Sequence, residues 1–247
     1  LRMCQAADAI IVHQYSMREA LIKQGVDKRI IHIIPHGTEI LKKVGKACAM
    51  RKLGLPEGKI ILSFGFFGWY KNKHIIVEAL PQVLEEVPDA YVFYSGYPRE
   101  GLEEDLITRR WCERKAKELK VEKHVIFTKR FILDEEVHLV FGSSDVAVFP
   151  YLQQYYSAAG GLHLALGAFK PIVVSKIPKF EEVWREISEE VIFDPHDPSE
   201  LAEILVRLLT DKGFKQHVTE RVKSYALKTS WDAIAKTYVR LYKSLAR

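Results

Sequence analysis

Two glycine-bearing loops and one lysine carry the chemistry legible in this chain. The first loop, Gly65-Phe66-Phe67-Gly68-Trp69-Tyr70-Lys71-Asn72-Lys73, follows an apolar run directly. Glycines there would let the chain pass close to phosphate, and Lys71 would be the point charge that neutralises it. The second loop, Ser157-Ala158-Ala159-Gly160-Gly161, lies between the apolar run 146–149 and a helical pattern over 162–168. Small residues before a helix let a ligand reach backbone N–H groups at the helix's positive end, a cradle for phosphate. Close packing of helix on sheet accounts for the same residues equally well. The first loop lacks the Gly-Lys-Ser/Thr ending of a Walker loop and does not fit GxGxxG, so alone it also reads as a surface loop with a solvated lysine. If the two loops converge on one cleft, a phosphate recognised from both sides is expected.

The elements that must position these loops alternate regularly. Apolar, β-rich runs fall at 60–64, 91–95, 125–127, 146–149, 172–174 and 191–193, with helical patterns at 74–86, 102–119, 135–141, 162–168 and 180–186. Strands alternating with helices predict parallel βαβ units with right-handed crossovers. Short, nearly all-apolar strands predict helices on both faces. The fold class expected is α/β, a doubly wound, Rossmann-like parallel sheet. Ahead of it lie a strand at 8–13, a helix at 17–24 stopped by Gly25, and a strand-like run at 29–34 ending in Pro35-His36-Gly37, a turn that reads as a domain boundary. His36 is open to two readings, a ligand near a cleft or an ordinary loop histidine. Three helical patterns close the chain, at 199–209, 214–225 and 231–246.

With 247 residues, 48% of them hydrophobic and 28% charged, the chain can bury a sizeable core. A net charge of +5 favours anionic ligands or an anionic membrane surface and is too small to argue for nucleic acid. Cys4, Cys48 and Cys112 have no paired spacing, which points to reduced thiols in a cytoplasmic protein and gives no zinc pattern. No apolar run approaches the roughly 18 residues of a membrane span. The start at Leu1, without Met, suggests a fragment. The basic residues of 109–123 are interleaved with Glu113 and Glu118 and preceded by Glu103 and Glu104, a mixture usual for a solvated face and open to a membrane role.

Taken together, the motifs resemble the carboxyl-terminal half of a retaining, nucleotide-sugar-dependent glycosyltransferase of family 4, within group 1 and the two-domain GT-B fold. The resemblance rests on the order of 7–13, 31–38, the loop from Gly65 to Lys71 followed by Glu78-Ala79-Leu80, 131–137, 144–151, Ala165, 170–174 and 230–235 with Leu241-Tyr242. It implies three pieces: 1–35 as the last strand-helix-strand elements of a truncated first domain, 36–228 as the donor-binding domain, and 229–247 as a helix returning towards the first domain. It also implies transfer from a nucleotide sugar to a sugar or lipid-linked acceptor held by the first domain, with no metal, no other cofactor and no nucleic acid. The protein would be cytoplasmic or peripheral to a membrane. The site expected is Lys71 as the catalytic charge, with Gly65, Gly68, Arg130, Ser157, Gly160, Gly161 and His163 on the donor.

The chain departs from that pattern. The family's paired glutamates would fall at Tyr156 and Leu164, or with a shifted frame at Tyr155 and His163 or Ser157 and Ala165, and nothing acidic occurs between Asp145 and Glu181. The family's basic partner to Lys71 would fall at Phe66 or Gly68. Asn72 and Phe169 stand where glycine is common. His163 and Arg130 are candidate replacements, the first also readable as a packed helical histidine and the second as a surface arginine. A non-catalytic subunit of the same fold is the alternative. A sugar-nucleotide epimerase is disfavoured by the shortage of groups for proton transfer.

Overall fold

The computed structural model describes residues 2–152 and 158–246. Two short strands, β1 (Ile10–Val12) and β2 (Ile31–Ile33), pair in parallel as a sheet of their own. The main layer is a six-stranded sheet of β3 (Lys59–Phe64), β4 (Ala90–Ser95), β5 (Val125–Phe127), β6 (Val146–Phe149), β7 (Ile172–Ser175) and β8 (Ile192–Phe193). Its order is β5-β4-β3-β6-β7-β8, and every pairing is parallel. This is the expected doubly wound sheet, with the strand order reversing between β3 and β6.

Eleven helices accompany the sheets among the described residues: α1 (Arg2–Gln5), α2 (Tyr15–Lys23), α3 (Lys46–Leu53), α4 (His74–Glu86), α5 (Glu103–Glu118), α6 (Val137–Ser143), α7 (Gly160–Gly167), α8 (Glu181–Glu186), α9 (Pro198–Thr210), α10 (Lys212–Lys228) and α11 (Trp231–Leu245). Burial follows the sequence pattern. All four residues of β6 and of β7 are buried, as a strand covered on both faces requires. Helix α4 puts Ile75, Ile76, Ala79, Leu80 and Val83 into the core, while α5 turns Asp105, Thr108, Cys112 and Ala116 inward at helical spacing. The basic face of α5 is laced by Arg109–Glu113 at 3.0 Å and Lys115–Glu118 at 3.4 Å, the solvated arrangement anticipated for it.

Three elements differ from expectation. Helix α3 has no clear apolar stripe, burying only Ala49 and Met50. It packs on α6 and is pinned at its first residue, Lys46, whose Nζ donates to Asp145 Oδ2 at 2.5 Å; Asp145 also accepts from Ile60 N–H at 2.9 Å and from Lys215 Nζ at 3.0 Å. The run at 29–34 is half turn, because the Asp27 carboxylate accepts the Arg29 N–H at 2.9 Å and starts a 3-10 turn before β2. Helix α7 begins at Gly160, ahead of the apolar pattern that marked it, since hydrophobic periodicity does not register glycine.

The strands β1 and β2 cover a small apolar cluster of Val12, Val26 and Ile31, separate from the large one on the main sheet. Thr38 links this region to the chain's end, donating its N–H to Thr229 O at 2.8 Å and accepting from Trp231 N–H at 3.2 Å. The Trp231 ring lies against Gly37, where any Cβ would overlap it. No described helix is long and apolar enough to cross a membrane.

Candidate functional site at the carboxyl edge of the sheet

The reversal of strand order sets the loops after β3 and β6 side by side at the carboxyl edge. The β3 loop is fixed from all directions. Gly65 has φ +89°, a left-handed conformation that favours glycine, and donates its N–H to Ser95 O at 3.1 Å. The fully buried Lys73 donates from Nζ to Gly65 O at 2.7 Å, with the Phe67 ring centroid 4.8 Å away. Leu152 of the β6 loop donates its N–H to Tyr70 O at 2.8 Å, and Asn72 Nδ2 donates to Pro195 O, beyond β8, at 2.7 Å. A Cβ on Gly68 would meet the Tyr70 ring at 2.7 Å. Asn72 and Phe169 have φ of 49° and 55°. They keep the left-handed geometry without glycine's freedom.

Lys71 ends the loop almost wholly buried, its Nζ 5.6 Å from the Tyr151 ring centroid and 5.9 Å from that of Phe66. Burial lowers its pKa to about 8, and the nearby Arg99 and Lys179 push the same way against Asp105. Arg99 lies in the loop after β4. Its Nε and Nη2 donate to Asp105 at 3.0 and 2.8 Å, its own N–H donates to the same carboxylate at 3.0 Å, and its Cζ lies 5.2 Å from the Phe66 ring centroid. Burial opposes the charge on Asp105, yet the hydrogen bonds from Arg99 hold its carboxyl below the usual carboxylate range. Lys179, buried in the turn after β7, is also pushed down by burial, and its carbonyl accepts a hydrogen bond from Gln14 Nε2. Three cations thus approach from the loops after β3, β4 and β7. A cavity of about 830 Å³, lined by Phe66, Tyr97, Arg99, Arg110 and Phe131, opens beside Arg99.

The start of α7 belongs to the same edge. A Cβ on Gly161 would lie 3.4 Å from Phe149 and 3.5 Å from Phe64, the last residues of β6 and β3, while Gly160 faces open space. The β3 and β6 loops thus share this edge, joined by the Leu152–Tyr70 hydrogen bond, with the Tyr151 ring 5.6 Å from Lys71 Nζ. Ser157 and Tyr156 lie outside the described residues.

The other expected site residues stand apart in character. Arg130 is exposed and committed to Glu136 through two hydrogen bonds of 2.6 and 2.5 Å, which hold Glu136 down to a pKa of about 2. His163 is buried, its Nδ1 2.9 Å from Thr38 Oγ1 and its Nε2 3.4 Å from Glu182 Oε1. Glu182 in turn accepts from the Tyr225 hydroxyl at 2.7 Å. The His36 ring packs 4.5 Å from His163 and 5.5 Å from Trp231, and its pKa is lowered chiefly by burial. Sequence reasoning missed Arg99, Asp105, Lys73, Lys179 and Glu182. For Arg99 a signal existed, an arginine just past a strand end behind Pro98. For Glu182 only the packing of α8 beside α7 reveals the contact. Among the described residues no group of three or more His, Cys, Asp or Glu is placed to hold a metal.

Residues 58–211, well over half of the chain and including both loops, match the family model of the group 1 glycosyl transferases. The chain belongs to that family. This group 1 chain is 28% identical over 250 residues to a D-inositol 3-phosphate glycosyltransferase of Corynebacterium urealyticum, covering 97% of itself and 57% of that protein. It is 26% identical over 204 residues to spore coat protein SA of Bacillus subtilis, covering 78% of itself and 50% of the other. Among solved structures it resembles sucrose-phosphate synthase from Thermosynechococcus elongatus, with a TM-score of 0.76 and 25% identity over 97% of this chain and 58% of that one. It shares its fold with Anabaena HepE in complex with UDP-glucose, with a TM-score of 0.80 and 17% identity over 96% and 64% of the two chains. The sheet is thus that of a carboxyl-terminal GT-B domain. The chain spans a little over half the length of the curated relatives named here.

Proposed function

We propose that this chain supplies the donor-binding half of a retaining glycosyltransferase of family 4, which moves a sugar from a nucleotide diphosphate to an acceptor. The observation that supports the reading is that the β3 loop ending in Lys71 is hydrogen-bonded to the β6 loop, through Leu152 N–H and Tyr70 O, at the reversal of strand order, on the edge where α7 starts against Phe149 and Phe64. As the glycosidic bond to the diphosphate breaks, negative charge builds on the leaving phosphate. Lys71 supplies a partly dehydrated positive charge there, and the first N–H groups of α7 supply fixed dipoles. Both act without reorganising, so they favour the charged leaving state over the bound donor. Gly65 and Gly68 give the backbone its close approach. Retention at the anomeric carbon asks little of a protein nucleophile, which suits an edge poor in carboxylates.

His163, enclosed by Thr38 and Glu182, is assigned to holding α7 in place, and Arg130, paired with Glu136, to the rim. In this reading 1–35 belong with a first domain that holds the acceptor, 36–228 bind the donor and 229–247 return to the first domain. A peripheral membrane contact would go with a lipid-linked acceptor. Relatives crystallised with UDP and UDP-glucose make uridine donors the first to try. Titration calorimetry with UDP-, GDP- and ADP-sugars should find one that binds, and NMR of the transferred sugar should show the donor's anomeric configuration. Binding of none of the three removes the proposal, and an inverted product removes its retaining part.

A further inference from the structure

The loop after β3 carries phenylalanine where the resemblance leads one to expect a second cation, and the structure sets a guanidinium against that very ring. Arg99 reaches Phe66 from the neighbouring loop, with Cζ 5.2 Å from the ring centroid, while Lys71 Nζ approaches the same ring at 5.9 Å. Its pose is not that of a loose surface arginine. Three hydrogen bonds to Asp105, a fully buried carboxylate, fix the backbone and the guanidinium together. A buried carboxylate is costly unless paired, so the arrangement keeps Arg99 in one orientation. The bonds to Asp105 use Nε and Nη2 and leave Nη1 as a donor. Arg99 also borders the 830 Å³ cavity at the carboxyl edge.

We propose that Arg99 is the second cation of the donor-diphosphate site, aimed by Asp105 as its positioning residue and replacing from the β4 loop the charge that the β3 loop lacks. The inference rests on the donor-site reading given above. Lys71 then contributes a point charge and Arg99 a planar donor for a second phosphate oxygen.

The test is calorimetric titration of the whole chain with UDP, GDP and ADP, and with the matching nucleosides, which lack phosphate. For the diphosphate that binds, Arg99→Ala should weaken affinity roughly ten- to a hundredfold and leave nucleoside affinity unchanged. Arg99→Lys should keep part of it. Adding Phe66→Arg to Arg99→Ala should restore much of the loss, which a merely structural role for Arg99 would not allow. Asp105→Asn should weaken the diphosphate and not the nucleoside. Arg99→Ala leaves Asp105 unpaired, so if that variant fails to fold by circular dichroism, the double variant Arg99→Met with Asp105→Asn decides by the same comparison. Diphosphate affinity within twofold of the unaltered protein in the folded Arg99 variant, with Lys71→Ala still weakened, overturns this proposal alone. If Lys71→Ala also binds normally, or no diphosphate binds the unaltered protein, the donor-site reading falls and takes this inference with it.

Discussion

A lysine with a pKa near 8 is a charge held at a cost. The pKa of Lys71 in the folded protein lies below its usual 10.5. Folding therefore releases protons between those values, and the cost is fully present below pH 8 and fades as pH rises towards 10.5. Replacing Lys71 with Met should stabilise the ligand-free protein at pH 7, by on the order of 2–3 kcal/mol, while weakening nucleotide binding. Urea unfolding beside calorimetry checks both signs. In the unaltered protein, diphosphate affinity should fall as pH rises through about 8, because the ammonium is needed and the free site loses it. Binding at pH 8.5 should take up a proton, seen as a dependence of the observed heat on buffer ionisation enthalpy, and Lys71→Arg should abolish that uptake. Burial also pushes the Lys73 pKa well below 10.5, but Lys73 differs from its neighbour in having partners: its Nζ donates to the Ser63 and Gly65 carbonyls. Lys73→Met should lower stability by about 1–3 kcal/mol through the carbonyls left without a donor.

At the scale of elements, close approaches hold the edge together. A Cβ on Gly96 would overlap the Gly65 carbonyl, the same oxygen that Lys73 binds. Gly96→Ala should therefore shift the β3 loop, costing about 1–3 kcal/mol of stability and also nucleotide affinity, measured by thermal melts and titration. Strands and most helices were legible in the sequence because apolar period reports burial directly. Glycines announced the β3 loop for the same reason, as a local backbone requirement. Helix α3 was not legible, since its anchor is Lys46 meeting Asp145, residues 99 apart in the chain. Arg99 is visible as an arginine past a strand end, but which ring it lies against is not, because ring contacts between separate loops leave no periodic trace. The sequence has no acidic residue between Asp145 and Glu181, yet α8 brings Glu182 to 3.4 Å from His163 on α7, a contact no linear spacing encodes.

For the molecule as a whole, the two sheets differ in what sustains them. The six-stranded layer has its own large core, whereas β1 and β2 pair over only three residues each and cover a small cluster. Two-stranded units are marginal without support. Amide hydrogen exchange should therefore be faster in β1 and β2 than in β3 and β6, with saturating nucleotide slowing the second pair more than the first. The reversal between β3 and β6 has a consequence for the order of assembly. Neighbours at the centre of the sheet, such as Ile60 and Asp145, are 85 residues apart in sequence, whereas β3 and β4 are joined by a single helix. Loop-closure entropy delays distant pairings, so β3 and β4 can join early while the β3–β6 seam waits for most of the domain. During synthesis, a chain released before β6 and α7 would have half of its sheet and no cleft. Nucleotide capture would thus report that the ribosome has delivered, and the chain has folded, the domain's centre.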